Sequence, residues 1–286
     1  MNQNYKISQQ DLPPLEKMRK VRRDILKTIN DYRRKNRRRE IYLDPAANEA
    51  ADEYAQHLLQ NRAWQNPDEP GLEAVSQCFK LVHKQQAIVG YSNIDEESGD
   101  MTKREEYLDA HGSLFELEAE RETLTDKQTS HVGLGFATDG EKALVVELLS
   151  KSALAIEKMY QKHNGSICVQ GVNLDPSNAG LFAARIVSAS DPSNVASLIG
   201  PEHMTYNKAT REFTLRFEPQ QERIFYNAAD PKVLELFVRK TEVDQIQYGS
   251  QSHKKIDVNQ LTPMTRMPFQ LLPDPRIVKE DTLDAE

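Results

Sequence analysis

Side chains suited to catalysis or to metal binding are few and scattered along this sequence of 286 residues. The seven histidines and two cysteines do not form the closely spaced pairs from which zinc sites are built. Ser130 and His131 could act as a nucleophile and its base, but no acidic residue is placed to orient the imidazole. The sequence also has no nucleophile elbow, no P-loop and no glycine motif for a dinucleotide. Motifs alone therefore predict no enzyme.

The composition is typical of a soluble globular protein rather than a membrane or secreted one. Apolar residues make up 38% of the chain and charged residues 28%. No apolar run approaches the roughly 20 residues that span a bilayer, and the first residues lack the apolar core of a secretory signal. Two cysteines cannot form a disulfide framework. We therefore expect an intracellular, cytoplasmic protein with reduced cysteines.

The positive charge of the chain is concentrated near its N-terminus. Residues 1–40 contain thirteen lysines and arginines against five acidic residues, although the whole chain has a net charge of −7. Such asymmetry is typical of a segment that binds nucleic acid, an acidic lipid surface or an acidic protein surface; the alternative is a solvated helix face. The candidate partner-binding residues here are Arg19, Lys20, Arg22, Arg23, Arg33, Arg34, Lys35, Arg37, Arg38 and Arg39.

The spacing of apolar residues predicts two helices at the start of the chain. Val21, Ile25 and Ile29 lie on one face of the first helix, and the arginines lie on the other. Asp44 can cap a second helix, and Pro45 suits its first turn. The apolar face of the second helix is rich in alanine, which allows close packing against a sheet or another helix.

Further helices and a hairpin complete the first half of the chain. Helices are predicted over about residues 72–86 and 102–121. Residues 130–150 alternate apolar and small side chains around "TDG", which predicts a strand, a tight turn and a second strand. The next stretch, residues 152–165, is ambiguous between a helix and a linker.

The second half of the chain has the pattern of a β-rich domain. Short apolar, β-branched stretches alternate with turn sequences such as "DPSN", in which proline and the side chains of Asp and Asn favour a turn. We predict a small β-sandwich-like domain over residues 165–248. Residues 249–286 contain four prolines and no periodicity, so they are predicted to form an extended tail. Its candidate partner-binding residues are Met267, Phe269, Leu271 and Leu272.

The order of these elements resembles the CAP superfamily, which comprises the cysteine-rich secretory, antigen 5 and pathogenesis-related 1 proteins. Asn30-Asp31-Tyr32-Arg33 stands where that family has an N-x-x-R stretch in its first helix. "IYLDPAANEAADEYA" fits its turn into an alanine-rich helix, and "VGLGFATDGEKALVV" fits its later hairpin. The resemblance covers about residues 21–150 and implies an α/β/α sandwich, with a small antiparallel sheet between helices. Gly133 and Gly135 would then allow close approach to the central sheet.

Many members of this family have a cleft with two histidines and two acidic residues that can hold a divalent metal. The resemblance places His111 at the second histidine, but "NRAWQNPDEPG" lacks the first, and Ser92 stands where a glutamate would fall. His111 with Glu116 or Glu118 does not supply the three or four convergent ligands that zinc requires. We therefore expect a degenerate cleft, with no metal and no other cofactor.

Together these observations predict an α+β protein with four parts. An extended segment over residues 1–20 precedes a CAP-like α/β/α sandwich over residues 21–160. The small β-sandwich-like domain follows over residues 165–248, and the extended C-terminal tail occupies residues 249–286.

The predicted function is that of a non-enzymatic structural or adaptor protein in a large intracellular assembly. A basic segment with an extended tail suits an acidic protein lattice such as a microtubule. We therefore expect protein partners, among them tubulin or other proteins of the ciliary axoneme, and a cytoskeletal location. We expect no specific nucleic acid partner, because the basic helix has one aromatic residue and no groove-reading motif.

Two alternatives remain open at this point. The first is a CAP-like metal-dependent enzyme or ligand binder that uses His111. The second is binding of an anionic lipid surface through the basic amphipathic helix. We rank the lipid surface lower, because in the resembled fold the apolar stripe of that helix packs in the core.

Overall fold

The structure is a computed structural model that describes residues 18–65, 67, 69–94, 103–161, 166–175, 182–188, 204–217, 232–239 and 261–269. The described residues fall into two compact units, a first unit that ends at Ser152 and a second unit that begins at Ala153. This boundary comes earlier than the predicted one near residues 160–165, because residues 154–161 pair with a strand of the second unit. Most of the predicted N-terminal extended segment lies outside the described residues; Arg19 already begins a helix.

Five helices and four strands make up the described part of the first unit. The helices are α1 (Arg19–Lys35), α2 (Pro45–Gln60), α3 (Glu69–Cys78), α4 (Lys103–Ser113) and α5 (Glu118–Leu124). The strands are β1 (Tyr42–Leu43), β2 (Gln86–Asn93), β3 (His131–Thr138) and β4 (Lys142–Ser150).

The first unit has three layers, with a four-stranded sheet between helices. The strand order is β1-β3-β4-β2; β1 runs parallel to β3, and the other neighbours are antiparallel. Val145 and Leu149 of β4 pack with α1 and α4 on one face, whereas Val146 and Leu148 pack with α2 and α3 on the other. Because successive side chains of a strand point to opposite faces, β4 is buried on both sides. The predicted α/β/α sandwich is confirmed.

The start of α2 follows the prediction from sequence. The carboxylate of Asp44 accepts hydrogen bonds from the N–H groups of Ala46 (3.0 Å) and Ala47 (3.2 Å), which otherwise would have no partner within the helix. Pro45 occupies the first helical position, where its missing N–H costs nothing. The cap fixes the point at which the chain leaves β1 and enters α2.

Two glycines of β3 face the alanine side of α2. A Cβ atom added to Gly133 would overlap the backbone of Ala47, and one added to Gly135 would overlap the backbone of Ala51. Helix and strand therefore touch through backbone atoms. A side chain at either glycine would push the helix and the strand apart. This confirms the close approach predicted for both glycines.

Two predicted helices differ in extent from the observed ones. The helix predicted over 72–86 is α3, which ends at Cys78 because Lys80 adopts a left-handed φ of +51°, and the chain then enters β2 at Gln86. The helix predicted over 102–121 is interrupted between α4 and α5. There the N–H groups of Leu114 and Phe115 bond to carbonyl groups only three residues back, which tightens the turn and ends α4.

The described part of the second unit consists of strands. They are β5 (Leu154–Gln161), β6 (Ile167–Asn173), β7 (Phe182–Ser188), β8 (Met204–Tyr206), β9 (Glu212–Phe217), β10 (Lys232–Arg239) and β11 (Leu261–Phe269). They form two antiparallel sheets with the orders β5-β6-β9-β8 and β11-β10-β7. The predicted β-rich second half is confirmed.

Two strands of the second unit correct the predictions. Residues 154–161, ambiguous between helix and linker, form β5, because their backbone pairs with that of β6 and Leu154, Ala155, Ile156 and Met159 are buried. Part of the predicted extended tail, residues 261–269, forms β11 and pairs with β10. Met267 therefore lies opposite Leu234 and Phe269 opposite Lys232 in a sheet, not in a free tail. The other two tail candidates, Leu271 and Leu272, lie outside the described residues.

The close packing of α2 on β3 predicts opposite effects of the same substitution at two glycines. Gly135→Ala should destabilise the protein by about 3 kcal/mol, the upper end of overpacking costs, because the new methyl overlaps helix backbone. Gly112→Ala in α4 meets no atom within 4 Å and should stabilise it by roughly 0.5–1 kcal/mol. Urea unfolding of both variants measures the difference; equal effects would contradict the packing.

Candidate functional site

The basic segment predicted to bind partners contains two kinds of arginine. Arg22 and Arg33 are only 3% and 0% exposed, so they cannot belong to a binding surface, and their inclusion among the candidates was wrong. Lys20 and Arg23 are exposed. The side chain of Arg19 lies outside the described set.

Arg33 and Asn30, the pair in the N-x-x-R stretch, fasten the end of α1 to later segments of the chain. The side-chain amide of Asn30 bonds both the N–H (2.9 Å) and the C=O (3.0 Å) of Ile41. Burial lowers the pKa of Arg33, but the protein supplies hydrogen-bond acceptors for its guanidinium group. It donates hydrogen bonds of 2.5–3.2 Å to the backbone carbonyl groups of Arg39, Leu124, Asp126 and Thr129.

The short strand β1 pairs with only the first two residues of β3. Side chains, that of Arg22 among them, bond the backbone groups of the same edge farther along β3. The N–H of Leu134 donates to Oδ1 of Asn48 (2.7 Å), and the N–H of Phe136 donates to Oδ1 of Asp52 (3.0 Å). Arg22 donates from Nε to the carbonyl of Leu134 (2.8 Å) and from Nη2 to Oδ2 of Asp52 (2.5 Å). Burial raises the pKa of Asp52, while the charge of Arg22 opposes that shift. Side chains of α1 and α2 thus replace a neighbouring strand.

The remaining cations cluster at the C-terminal end of α1, in residues 34–39, here called the basic turn. Arg37 has a φ of +56°. Its N–H bonds the carbonyl of Arg34 (3.0 Å), and the N–H of Arg38 bonds that of Arg33 (2.8 Å), a pattern that ends many helices. Glycine is the usual residue at this left-handed position because it avoids the cost of a Cβ atom. Here an exposed arginine occupies it.

Acidic neighbours neutralise part of the basic turn. Arg34 forms ion pairs with Asp31 (2.9 Å) and Glu40 (2.8 Å) at the surface. The hydrogen bond from Lys27 lowers the pKa of Asp31, and Arg34 adds to that shift; the bond to Glu40 raises the pKa of Arg34. Arg38 is half buried and donates to a backbone carbonyl (2.7 Å). Lys35, Arg37 and Arg39 are the exposed cations of the turn besides Arg34.

The apolar face of α1 is not available to a lipid surface. Val21, Ile25 and Ile29 are at most 4% exposed and belong to the core between α1, α4 and the sheet. An amphipathic helix binds a membrane by inserting its apolar face. Because this face of α1 is buried in the core, the helix has no apolar surface with which to bind lipid. In the described part of the chain, no helix is long and apolar enough to cross a bilayer.

His111 forms a buried pair with an acidic residue that sequence reasoning missed. Its Nδ1 lies 2.7 Å from Oε1 of Glu147 on β4, and the two residues are 2% and 0% exposed. The ring also meets Phe115 edge-on, with centroids 5.1 Å apart. The expected acidic neighbours, Glu116 and Glu118, are instead exposed. The sequence signal for Glu147 was a single acid within the otherwise apolar strand "ALVVELL".

The His111–Glu147 pair has no further metal ligand beside it among the described residues. Ser92, at the position of a family glutamate, donates its hydroxyl hydrogen to the carbonyl of Glu106 (3.1 Å). Among the described residues, no three His, Cys, Asp or Glu side chains converge as ligands, and a zinc site requires at least three. Both partners are enclosed between α4 and the sheet, where Nε2 of His111 and Oε2 of Glu147 have no hydrogen-bond partner among the described residues.

Ser130 and His131 also form a buried structural contact. Ser130 Oγ lies 2.9 Å from Nδ1 of His131 and accepts a hydrogen bond from the N–H of Ser152 (2.7 Å). Burial lowers the pKa of His131 to about 3. The imidazole is therefore neutral at physiological pH, and the buried hydroxyl cannot meet a substrate. This pair ties the start of β3 to the end of the first unit.

Comparison with known families assigns both units. A family model described as the CFAP184 CAP-like domain matches residues 15–146. The first unit of this chain is a CAP-like domain. A second model, described as the CFAP184 CBM-like domain, matches residues 156–268 and covers the β-rich second unit. The resemblance inferred over residues 21–150 is confirmed, and the CBM-like match also includes most of β11, which was predicted to be tail.

Individual proteins similar to this chain include one curated relative and two solved structures. Cilia- and flagella-associated protein 184 of Tetrahymena thermophila is 30% identical over 282 residues, which are 93% of this chain. The chain spans 33% of the length of that relative. An extracellular SCP-domain protein from Bacillus anthracis str. Ames is 16% identical, with a TM-score of 0.36, over 49% of this chain and 44% of its own. A cysteine-rich secretory protein from Staphylococcus aureus subsp. aureus Mu50 is 14% identical, with a TM-score of 0.35, over 48% and 41%.

The two kinds of arginine predict different outcomes for adjacent substitutions. Arg33→Ala should destabilise the protein by about 3–5 kcal/mol, because it leaves four carbonyl groups without their charged donor. Arg34→Ala removes only exposed ion pairs and should change stability little. Urea unfolding followed by circular dichroism compares the two variants. A tolerated Arg33→Ala would show that this arginine does not hold α1 in place.

Proposed function

We propose that this chain belongs to a non-enzymatic structural or adaptor protein of cilia and that its basic turn binds an acidic protein partner. The ciliary setting is supported by the relative, whose name is Cilia- and flagella-associated protein 184. Both matching domain models describe the same ciliary protein, and together they account for most of the chain. The chain covers a third of that relative, so the role proposed here is that of its two domains.

A structural role fits the way in which the reactive side chains are used. His111, Ser130 and His131 are buried and engaged in hydrogen bonds within the first unit. Nucleophilic and acid–base catalysis require groups that can reach a bound substrate. These side chains instead fix helices and strands to one another. The domain therefore keeps chemistry-bearing residues as parts of its core.

The single observation that carries the binding proposal is the basic turn. Lys35, Arg37 and Arg39 project from the end of a helix that buried arginines hold in place at both ends. Exposed, clustered cations on a rigid element attract an anionic surface over a distance of about one Debye length, near 10 Å at 0.1 M salt. The long side chains also give each cation access to a flexible acidic segment.

Among the proteins of an axoneme, tubulin is the partner that this charge fits best. Polymerised tubulin presents an extended acidic surface, and a basic turn on a rigid domain can contact it without an apolar anchor. The proposed location is accordingly cytoskeletal, on the axonemal microtubules. Met267 and Phe269, whose backbones lie in β11, stay candidate partner contacts but carry no part of this proposal.

Charge reversal within the basic turn should weaken binding of the full chain to polymerised tubulin. We expect Lys35→Glu, Arg37→Glu and Arg39→Glu together to lower affinity roughly tenfold in a co-sedimentation assay, since opposite charges across an interface steer and hold the complex. Wild-type binding should also fall as salt rises from about 50 to 200 mM, because exposed charges are screened.

A variant with the same change in net charge at other exposed positions is the matched control. Arg62→Glu, Lys80→Glu and Lys208→Glu lie outside the basic turn and should retain most of the wild-type affinity. Equal losses in both triple variants would show that net charge alone governs binding. Affinity that does not respond to salt would contradict the electrostatic proposal.

A further inference from the structure

A groove of about 600 Å³ opens at the end of the sheet where β2 begins and β4 ends. Its described lining includes Gln85 and Ala87 on one side and Ser150 and Lys151 on the other. The described lining residues do not include any member of the basic turn or of the His111–Glu147 pair. The volume lies within the range of about 300–1,000 Å³ that is usual for ligand sites.

Two buried polar atoms in this groove are left without hydrogen bonds. Gln85 and Ser150 are 7% and 5% exposed. The Oε1 atom of Gln85 and the Oγ atom of Ser150 have no partner among the described residues. The amide nitrogen of Gln85 donates to the carbonyl of His83 (2.8 Å). This bond fixes the orientation of the side-chain amide, in which Oε1 has no partner. Buried polar groups are nearly always bonded, so these atoms point to a ligand that donates N–H or O–H groups.

The strand beside the groove also has a free edge. The strand order places β2 at the end of the sheet. The N–H of Tyr91 donates to Oγ of Ser113 (3.2 Å) instead of to β4. Since residues of an antiparallel strand alternate in direction, Val89 and Ala87 also turn their N–H and C=O groups away from β4. In the described part of the chain, no other backbone group bonds them.

We propose that the groove and the free edge of β2 bind an extended peptide segment of a partner protein. The segment pairs with the edge strand as an added strand, and a side chain of the segment reaches past the start of β2 to donate hydrogen bonds to Gln85 and Ser150. An unpaired edge is a ready template for such pairing, in which main-chain bonds supply affinity and side-chain pockets supply selectivity.

A polypeptide fits the groove better than a carbohydrate does. A peptide main chain presents N–H and C=O groups at the spacing of the free edge. Charges of both signs line the groove, Lys84 and Lys151 with Glu69 and Asp126, and a polypeptide can match both. Tyr54 is the one aromatic residue of the described lining, and it is buried. A sugar would therefore find no exposed ring on which to stack.

Selection of peptides by the full chain tests this site. A random peptide library is displayed on phage and selected on the wild-type chain after depletion on Ala87→Pro, which removes an outward N–H at a position where an edge strand tolerates proline. We expect selected peptides to slow hydrogen exchange at Ala87 and Val89. Their affinity should fall about three- to tenfold in Ser150→Ala, the effect of one lost hydrogen bond.

Ser152→Ala is the matched control, because Ser152 is also buried but does not belong to the described lining. It should leave peptide affinity unchanged, and so should the triple charge reversal of the basic turn. Ser150→Ala should unfold at the wild-type temperature, since its hydroxyl has no partner to lose.

Three results would overturn the proposal. The first is that no peptide is enriched on the wild-type chain over Ala87→Pro. The second is that selected peptides bind Ser150→Ala and Ala87→Pro as tightly as the wild-type chain. The third is that members of an oligosaccharide array, but no peptides, bind in a manner that depends on Ser150.

Discussion

The backbone contact between α2 and β3 is the constraint on which the rest of the first unit depends. Gly133 and Gly135 allow the helix to lie directly on the strand. At that distance, Asn48 and Asp52 of α2 reach the N–H groups of the strand edge. Arg22 then bonds both the strand and Asp52, and thereby fixes the start of α1. Larger side chains on β3 would separate these layers and leave the edge groups without partners.

The position of the basic turn follows from the same contacts. Arg22 holds the first turns of α1, and Arg33 holds its last turn through four carbonyl groups. Fully bonded buried polar networks make a structure rigid, whereas a half-bonded network is costly. The helix therefore ends at a fixed place, and the exposed cations beyond Arg33 are presented from a rigid support. A single basic stretch of sequence thus supplies both the support and the surface.

Much of the first unit could be predicted from the sequence because its local signals agree with the global fold. The cap at Asp44, the alanine face of α2 and the glycines of β3 each predicted the contact that forms. The burial of Arg22 and Arg33 was missed because arginines were assigned to the polar face as a group. Helical spacing held the information: Arg33 lies four residues after Ile29, on the apolar side of α1.

Other features could not be predicted, because they depend on pairing between distant segments. Apolar and polar residues alternate too weakly over residues 154–161 to distinguish a strand from a helix. The pairing with β6 decides between them. β11 contains two prolines, which are tolerated because the strand lies at the end of its sheet. Glu147 could not be linked to His111 because 36 positions separate them. Local patterns carry no information on such contacts.

The central claim is that the basic turn contacts an acidic protein within the cilium. Zero-length carbodiimide cross-linking of intact axonemes tests it most directly, since the reagent joins a lysine only to a carboxylate with which it is in contact. We predict that mass spectrometry will find cross-links from Lys35 to acidic residues of another ciliary protein. Cross-links from Lys35 only to carboxylates of its own chain, such as Asp31, with links to other proteins arising from lysines elsewhere, would contradict the claim.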